Sequence, residues 1–424
     1  MHDVRMDPSP PAKGMPRVPL LLLVHFGDSL IRGSERCLLN LIKGINSDQY
    51  QVVLWCNNQA LADLAAPFAA RVEVGTYSPP FGFGYAPSAQ GAWADLRQLL
   101  LRAKGLVREI NPKLIICNSI APCQWMVPVS LLSGIPLLSY HHTTYRPKAR
   151  LMSLAFGATR MVGVSEFTLA NFRCDGFPQL RSAVIYNGVE DLAQHPVDRH
   201  KLRQELGIGK DQFLVTSISA LLEWKKVDLI IESFRLLSQR DGSTCTLLIV
   251  GEGPCRGSLQ AQAQGLRVIF VGWRSDVANI LAASDCVVVA AELEAFALTI
   301  IEAASMKVPV VGVRAGGVKE IIVDGENGLF AEPGSAKSLA AAIQRLRVSP
   351  ELRQRLGSNA RLAFEAKYRV ERMVFDLCAQ IDELSCRVTP FRNATGRRLF
   401  NLLYGNARLI GARLLYAMMG KVKP

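Results

Sequence analysis

The sequence predicts an α/β protein made of two parallel-sheet halves followed by a helical extension. Short apolar runs alternate with longer amphipathic stretches, the pattern of βαβ units around a parallel sheet. The alternation occurs twice along 424 residues, more than one ordinary core serves. Between the two sets, VEDLAQHPVDRHKLRQELGIGKD (189–211) is charged and has no strand signal, which suits a linker running into a short helix.

The elements follow in order. MHDVRMDPSPPAKGMPR (1–17) is polar and proline-rich and reads as a disordered lead. The apolar VPLLLLVHF (18–26) is too short to span a membrane and lacks the layout of a signal peptide, so it reads as the first strand. Further strands are expected at 51–56, 113–117, 136–140, 160–164 and 182–186. The second set falls at 212–219, 245–250, 267–271, 285–290 and 308–313. Helical patterns follow at 335–347, 350–366 and 369–385. A boundary near residue 205 gives Rossmann-like units at 18–205 and 206–366, a crossing helix at 367–385 and a tail at 386–424. Two such units facing each other create a cleft at the carboxyl ends of both sheets, where ligands of these folds bind.

Composition narrows the function classes. Hydrophobic residues at 49% and charged residues at 20% exclude a disordered chain. The net charge is +13, but from Cys386 onward there are eight basic residues and no acidic one, which leaves the body at +5. The basic character is largely a property of the tail. Ten cysteines occur without a C-x-x-C pair, several inside apolar runs, which points to a reducing compartment. Aromatic residues in the tail are too few to favour nucleic acid.

The strongest motif is EAFALTIIE (294–302), in which Glu294 and Glu302 stand eight positions apart around an apolar segment. Alone, this spacing is common, and its acids would be a helix cap and a solvated face. Here it follows the strand DCVVVA and precedes AGGVKEII (315–322) and DGENGLF (324–330). In this order and spacing the three segments resemble the signature of the retaining nucleotide-sugar glycosyltransferases of GT-B architecture, in particular family four. Weaker matches, RGSERCLLNL (32–41), His142 in IPLLSYHHTT, VSEF, YNGVE, WKKVD and VGEGP, extend the resemblance over roughly residues 20–385.

The resemblance implies a set of roles. A helix beginning near Phe296 would turn its unpaired backbone amides, around Phe296, Ala297 and Leu298, toward the diphosphate of the donor. Glu294 would accept hydrogen bonds from hydroxyls of the donor sugar, and Glu302 from the ribose. Lys225 matches the lysine that neutralises the departing diphosphate, but the arginine five positions earlier is replaced by Ala220. Lys226 or Arg32 would have to supply the missing charge. Gly33 would let the first turn approach the donor, His142 would hydrogen-bond the reacting sugar with His141 as rival, and Arg274 would contact the base. Gly251 and Gly253 fit either a donor contact or a tight turn. With no D-x-D motif and no clustered His/Cys set, transfer is expected to be metal-independent and cofactor-free, the nucleotide sugar being a substrate.

Acceptor recognition is expected from TYSPPFGFGYAPSAQG (76–91), where Phe81, Phe83 and Tyr85 could stack on a sugar or simply pack. The tail segment 395–423 interleaves Leu, Phe, Ile, Tyr and Met with Arg397, Arg398, Arg408 and Arg413. Such a helix could lie on an anionic membrane, gaining roughly 1 kcal/mol per basic residue near the headgroups, or dock on the protein itself. The expected function is transfer of a sugar to a glycan or lipid-linked saccharide in cell-surface polysaccharide synthesis, in the cytoplasm or at the inner membrane face. Ala220 motivates a non-catalytic binding or scaffold protein as the alternative; a nucleotide-sugar epimerase is the other.

Overall fold

The computed structural model describes residues 18–83, 88–241, 245–386, 396, 398–399, 401–408 and 410. Seven parallel strands form the first sheet: β1 (Leu20–His25), β2 (Gln51–Cys56), β3 (Arg71–Val74), β4 (Leu114–Asn118), β5 (Leu137–His141), β6 (Arg160–Gly163) and β7 (Ser182–Val184), in the order β3-β2-β1-β4-β5-β6-β7. Six form the second: β8 (Phe213–Ile218), β9 (Cys245–Val250), β10 (Val268–Gly272), β11 (Cys286–Val289), β12 (Val310–Val313) and β13 (Leu329–Ala331), in the order β10-β9-β8-β11-β12-β13. Helices cover both faces, so central strands such as β4 (LIICN) and β9 (CTLLIV) are buried along their whole length.

Strand order reverses between β1 and β4 in one sheet and between β8 and β11 in the other. These are the switch points where loops leave in opposite directions and open a crevice. The segments after β1, β4, β8 and β11 therefore line the region between the sheets.

Three expectations need correction. Strands β3 and β13 were not foreseen: RVEV is half-buried and polar, and LFA is only three residues long, both at sheet edges. The chain also passes to the second unit before residue 205. Helix Arg199–Glu205, capped by Asp198, is tied to the second sheet through Arg199 to Asp285 at 2.7 Å and Arg203 to the Ala283 carbonyl at 2.6 Å. The helical stretch expected over 350–366 ends at Ala363, where one π turn, Phe364–Tyr368, carries the chain back. Val189 and Tyr368 meet there, N–H to carbonyl at 3.0 Å, and helix Val370–Cys386 then packs on the first unit.

The tail expectation is divided. Residues 396, 398–399, 401–408 and 410 are helical. Arg398, one of the tail arginines for which membrane contact or docking on the protein was expected, is docked: Nε donates to the Gly157 carbonyl at 2.9 Å and Nη2 to Ser130 Oγ at 2.7 Å. Leu402 packs against the first unit's core on the same side. Leu399, Leu403, Tyr404 and Ile410 remain exposed. No described helix is long and apolar enough to cross a membrane.

Candidate active site

The β8/β11 switch point carries the second unit's contribution. Beyond β11 the chain passes through a turn at 292–293 and a bend at Ala295 to helix Leu298–Ser305, which starts two residues later than expected. The delay has a packing cause: the Phe296 ring stacks on Tyr186 at 5.8 Å and meets Tyr368 at 6.0 Å, which anchors the segment before the helix begins. Behind it, the Gly317 amide donates to the Glu294 carbonyl at 2.8 Å. A side chain at Gly317 would collide with the Ala295 carbonyl, its Cβ only 1.9 Å away, which gives the AGGVKE segment a backbone reason for its glycine. Glu294 is nearly buried and hydrogen-bonds Lys225 Nζ, which also lies 4.2 Å from the centre of the Trp224 ring. The loops after β8 and β11 thus present one cation and one carboxylate side by side.

The first unit supplies the facing wall. Gly33 opens helix Gly33–Gly44, and a Cβ there would stand 3.1 Å from Leu298 Cδ1. Within that helix, Glu35 folds back to accept from the Arg32 amide at 3.0 Å and from Ser34 Oγ at 2.9 Å. Burial opposes its ionisation, but His25 and these donors hold its carboxyl down to about 2. His25 ends β1 and lies beside Asn118, the last residue of β4. Asn118 Oδ1 lies 2.7 Å from His142 Nε2.

The two histidines separate clearly. His141 is fully buried, with Nε2 2.9 Å from Ser139 Oγ and its ring edge-on to Phe172 at 4.8 Å, a structural position. His142, just past the end of β5, reaches the cleft wall. Burial pushes both rings down to about 3, so both are neutral near pH 7.

Glu302 is held across the interface by Arg36, 3.1 Å from its Oε1; burial pushes its carboxyl upward and Arg36 pulls the other way. The sequence reading did not anticipate Arg36. Nor did it anticipate Glu320, the acid of AGGVKE. Its carboxylate accepts from the Glu166 and Phe167 amides at 2.8 and 2.9 Å, capping a first-unit helix from the second unit. Both pairings join residues more than 150 positions apart, and no local pattern announces them.

The remaining candidates are less central. Arg274 is clamped by Asp276 at 2.7 and 2.8 Å and by Glu205 at 2.8 Å, an ion-pair cluster on its own unit. Arg32 pairs with Asp28 at 2.8 Å on the exposed loop after β1. Lys226 adopts a left-handed backbone with φ +55° between the 3-10 turn and the next helix. Gly251 has φ +136°, and a Cβ there would meet the Ser219 carbonyl at 1.9 Å; Gly253 is similarly pressed on Leu221. These two glycines are a tight turn beneath the Ala220 loop. Phe81 packs edge-on against Trp93 at 4.9 Å, its backbone held by Gln124, so this ring is a packing group; Tyr85 lies outside the described residues. Beside the wall, the loops after β1 and β2 enclose an open hollow of about 570 Å³ lined by Phe26, Asp28, Ser29, Gln59 and Ser78 among others.

Two parallel sheets meeting at their switch points, with a lysine–carboxylate pair at a helix entrance, define a GT-B protein. Residues 198–363 match the family model of the glycosyl transferases group 1, and residues 31–191 match that of glycosyltransferase family 4. The chain belongs to the family-four-like GT-B glycosyltransferases. It is similar to the N-acetyl-alpha-D-glucosaminyl L-malate synthase of Bacillus anthracis, 30% identical over 195 residues, 45% of this chain and 50% of that protein. It is also similar to the capsular polysaccharide biosynthesis glycosyltransferase CapM of Staphylococcus aureus, 25% identical over 188 residues, 43% and 49% of the two chains. The chain spans about half the length of these curated relatives. Among solved structures, Anabaena Alr3699/HepE in complex with UDP superposes with a TM-score of 0.73 at 23% identity, covering 86% of this chain and all of that one.

Proposed function

We propose that this protein is a retaining, metal-independent glycosyltransferase that moves a sugar from a nucleotide diphosphate donor to a hydroxyl of a glycan or lipid-linked saccharide in polysaccharide synthesis. The observation that carries the reading is the Lys225–Glu294 pair at the β8/β11 switch point, set before the amino end of helix Leu298–Ser305, whose first residue meets Gly33. A helix entrance with unpaired amides favours an anion, and the lysine adds a full positive charge beside it. That the similar Anabaena protein was solved in complex with UDP supports a nucleotide diphosphate as part of the ligand.

Each side chain then has a task. Lys225 and the amides around Ala297 and Leu298 offset charge developing on the departing diphosphate. Glu294, released from Lys225 as the diphosphate takes that cation, accepts from hydroxyls of the sugar. Glu302 accepts from the ribose in exchange for Arg36. His142 contacts the reacting sugar from the opposite wall. Gly33 permits the close approach, while Lys226 and Arg274 lie further out on the donor side. The acceptor enters over the hollow beside Phe26 and Asp28. The exposed Leu399, Leu403 and Ile410, together with the basic residues of 395–423, engage an anionic membrane surface at its cytoplasmic side.

The test is transfer by Glu294→Ala. Nucleoside diphosphate release should fall about 10²- to 10³-fold while the protein remains folded. Undiminished release would reject the assignment. Wild-type protein that binds nucleotide sugars tightly and releases no diphosphate with any acceptor would instead establish the scaffold reading that Ala220 suggests, and donor interconversion without acceptor would establish an epimerase.

A further inference from the structure

The first-unit wall contains a line of buried polar side chains whose order fixes the state of one ring. Asn118 is completely buried, and its Nδ2 lies 3.4 Å from the Ser34 carbonyl. A carbonyl only accepts, so this contact sets which end of the amide carries nitrogen. The same Nδ2 donates to His25 Nδ1 at 3.0 Å. That leaves the His25 proton on Nε2, which stands 3.1 Å from Glu35 Oε1 as an electrostatic contact outside hydrogen-bonding geometry. At the other end Asn118 Oδ1 is an acceptor, so His142 Nε2, 2.7 Å away, must carry the proton.

The consequence falls on the second nitrogen of His142. Nδ1 is buried and has no hydrogen-bond partner within the protein. A buried polar atom left without a partner calls for a ligand or a water. Its residue follows β5 at the carboxyl edge of the sheet, where the crevice lies. With the proton fixed on Nε2, Nδ1 offers only a lone pair.

We propose that Asn118, backed by His25 and Glu35, is a positioning residue: it locks His142 in the Nε2–H tautomer so that Nδ1 accepts a hydrogen bond from a substrate hydroxyl. The inference rests on the glycosyl-transfer reading for its substrate, but the tautomer itself does not depend on it. It also assigns His142 the role of a neutral acceptor rather than a proton donor to the leaving group. Burial of the ring agrees with this, since it disfavours the imidazolium.

The experiment combines spectroscopy with a mutant cycle. The chain has six histidines, few enough to assign by ¹⁵N labelling and His142→Ala subtraction. In the wild type, the His142 resonances should show a neutral ring protonated on Nε2 at pH 7; a ring protonated on Nδ1 overturns the proposal whatever the activity. Asn118→Leu should mix the two tautomers and lower kcat about ten- to a hundredfold, the loss of one buried hydrogen bond to substrate. Asn118→Asp keeps an acceptor facing Nε2 and should recover most of the tautomer and part of kcat. In a His142→Ala background, Asn118→Leu should add no further loss, whereas independent additive losses would mean a merely structural asparagine. If the leucine variant fails to fold, the wild-type tautomer and the aspartate variant still decide. Absence of transfer by wild type, with the Nε2–H ring intact, would reject the transferase reading and leave the lock standing.

Discussion

At the residue scale, acid sensitivity concentrates in Glu35. Its carboxylate sits almost wholly buried at the start of helix Gly33–Gly44, yet its pKa is near 2 rather than the ordinary 4.5. A folded-state value below the unfolded one means stability that is fully present above about pH 4.5 and is lost as pH falls toward 2. The interval corresponds to at most about 3 kcal/mol. Glu35→Gln removes this dependence while keeping an acceptor for the Arg32 amide. Denaturant titrations at pH 7, 4 and 3 should show the wild type losing its advantage over the variant as the solution becomes acid. Parallel decline of the two proteins would show that Glu35 is not the titrating group; Asp191, also held near 2, is unchanged in both and sets the common slope. The same residue marks a limit of sequence reading. Glu294 and Lys225 were legible because their motif is local, and RGSERCLLNL drew attention to Gly33. Glu35, His25 and Asn118 acquire meaning only when β1 and β4 pair in register, 93 positions apart for His25 and Asn118.

At the element scale, the two crossings between units are joined by one carboxylate. Asp191 lies half-buried on the outgoing stretch of chain with its carboxylate largely covered, and accepts from both terminal nitrogens of Arg361 at 2.5 and 2.7 Å and from Arg369 at 3.1 Å. The hydrogen bonds from Arg361 are the main cause of its low pKa, with burial working against them. The Val189–Tyr368 and Val370–Val189 backbone bonds lie alongside, so out-going and returning segments form a two-stranded joint beside the π turn. Removing one partner of such a pair leaves an uncompensated charge, so Asp191→Ala should destabilise the joint by about 3 kcal/mol. Hydrogen exchange is the measurement: amides at 188–192 and 368–371 should exchange faster, while those of β1 and β8 stay protected. Uniform loss of protection throughout both sheets would place Asp191 in a core rather than in a joint. Strand legibility follows the same logic of environment. Strands buried on both faces read as unbroken apolar runs, whereas β3 satisfies Arg71 and Glu73 by ion pairing with Glu109 and Arg102 and therefore reads as loop. The crossing itself is carried by Asp191, which the sequence assigns to a charged linker, and by Arg361 and Arg369, which it assigns to two later helical patterns, so nothing local brings the three together.

At the scale of the whole molecule, the tail decides which surface of the first unit is presented outward. Its helix is fixed by Arg398 on Gly157 and Ser130 and by Gly405, where a Cβ would stand 2.1 Å from the Phe156 ring. Docking therefore uses one face of the helix and leaves Leu399, Leu403 and Ile410 exposed. Apolar side chains combined with a segment of eight basic and no acidic residues suit an anionic lipid surface better than water. The full chain should co-sediment with phosphatidylglycerol vesicles at low salt and progressively less as salt screens the attraction. Exchanging Leu399 and Leu403 for glutamate should weaken that partitioning by about tenfold or more, since it removes apolar contact and adds repulsion. Arg398→Ala should behave differently, lowering thermal stability through its lost buried hydrogen bonds rather than through lipid contact. Binding to neutral phosphatidylcholine vesicles equal to that on anionic ones, or a leucine double variant that sediments like wild type, would remove the membrane from this account and leave the tail as a brace.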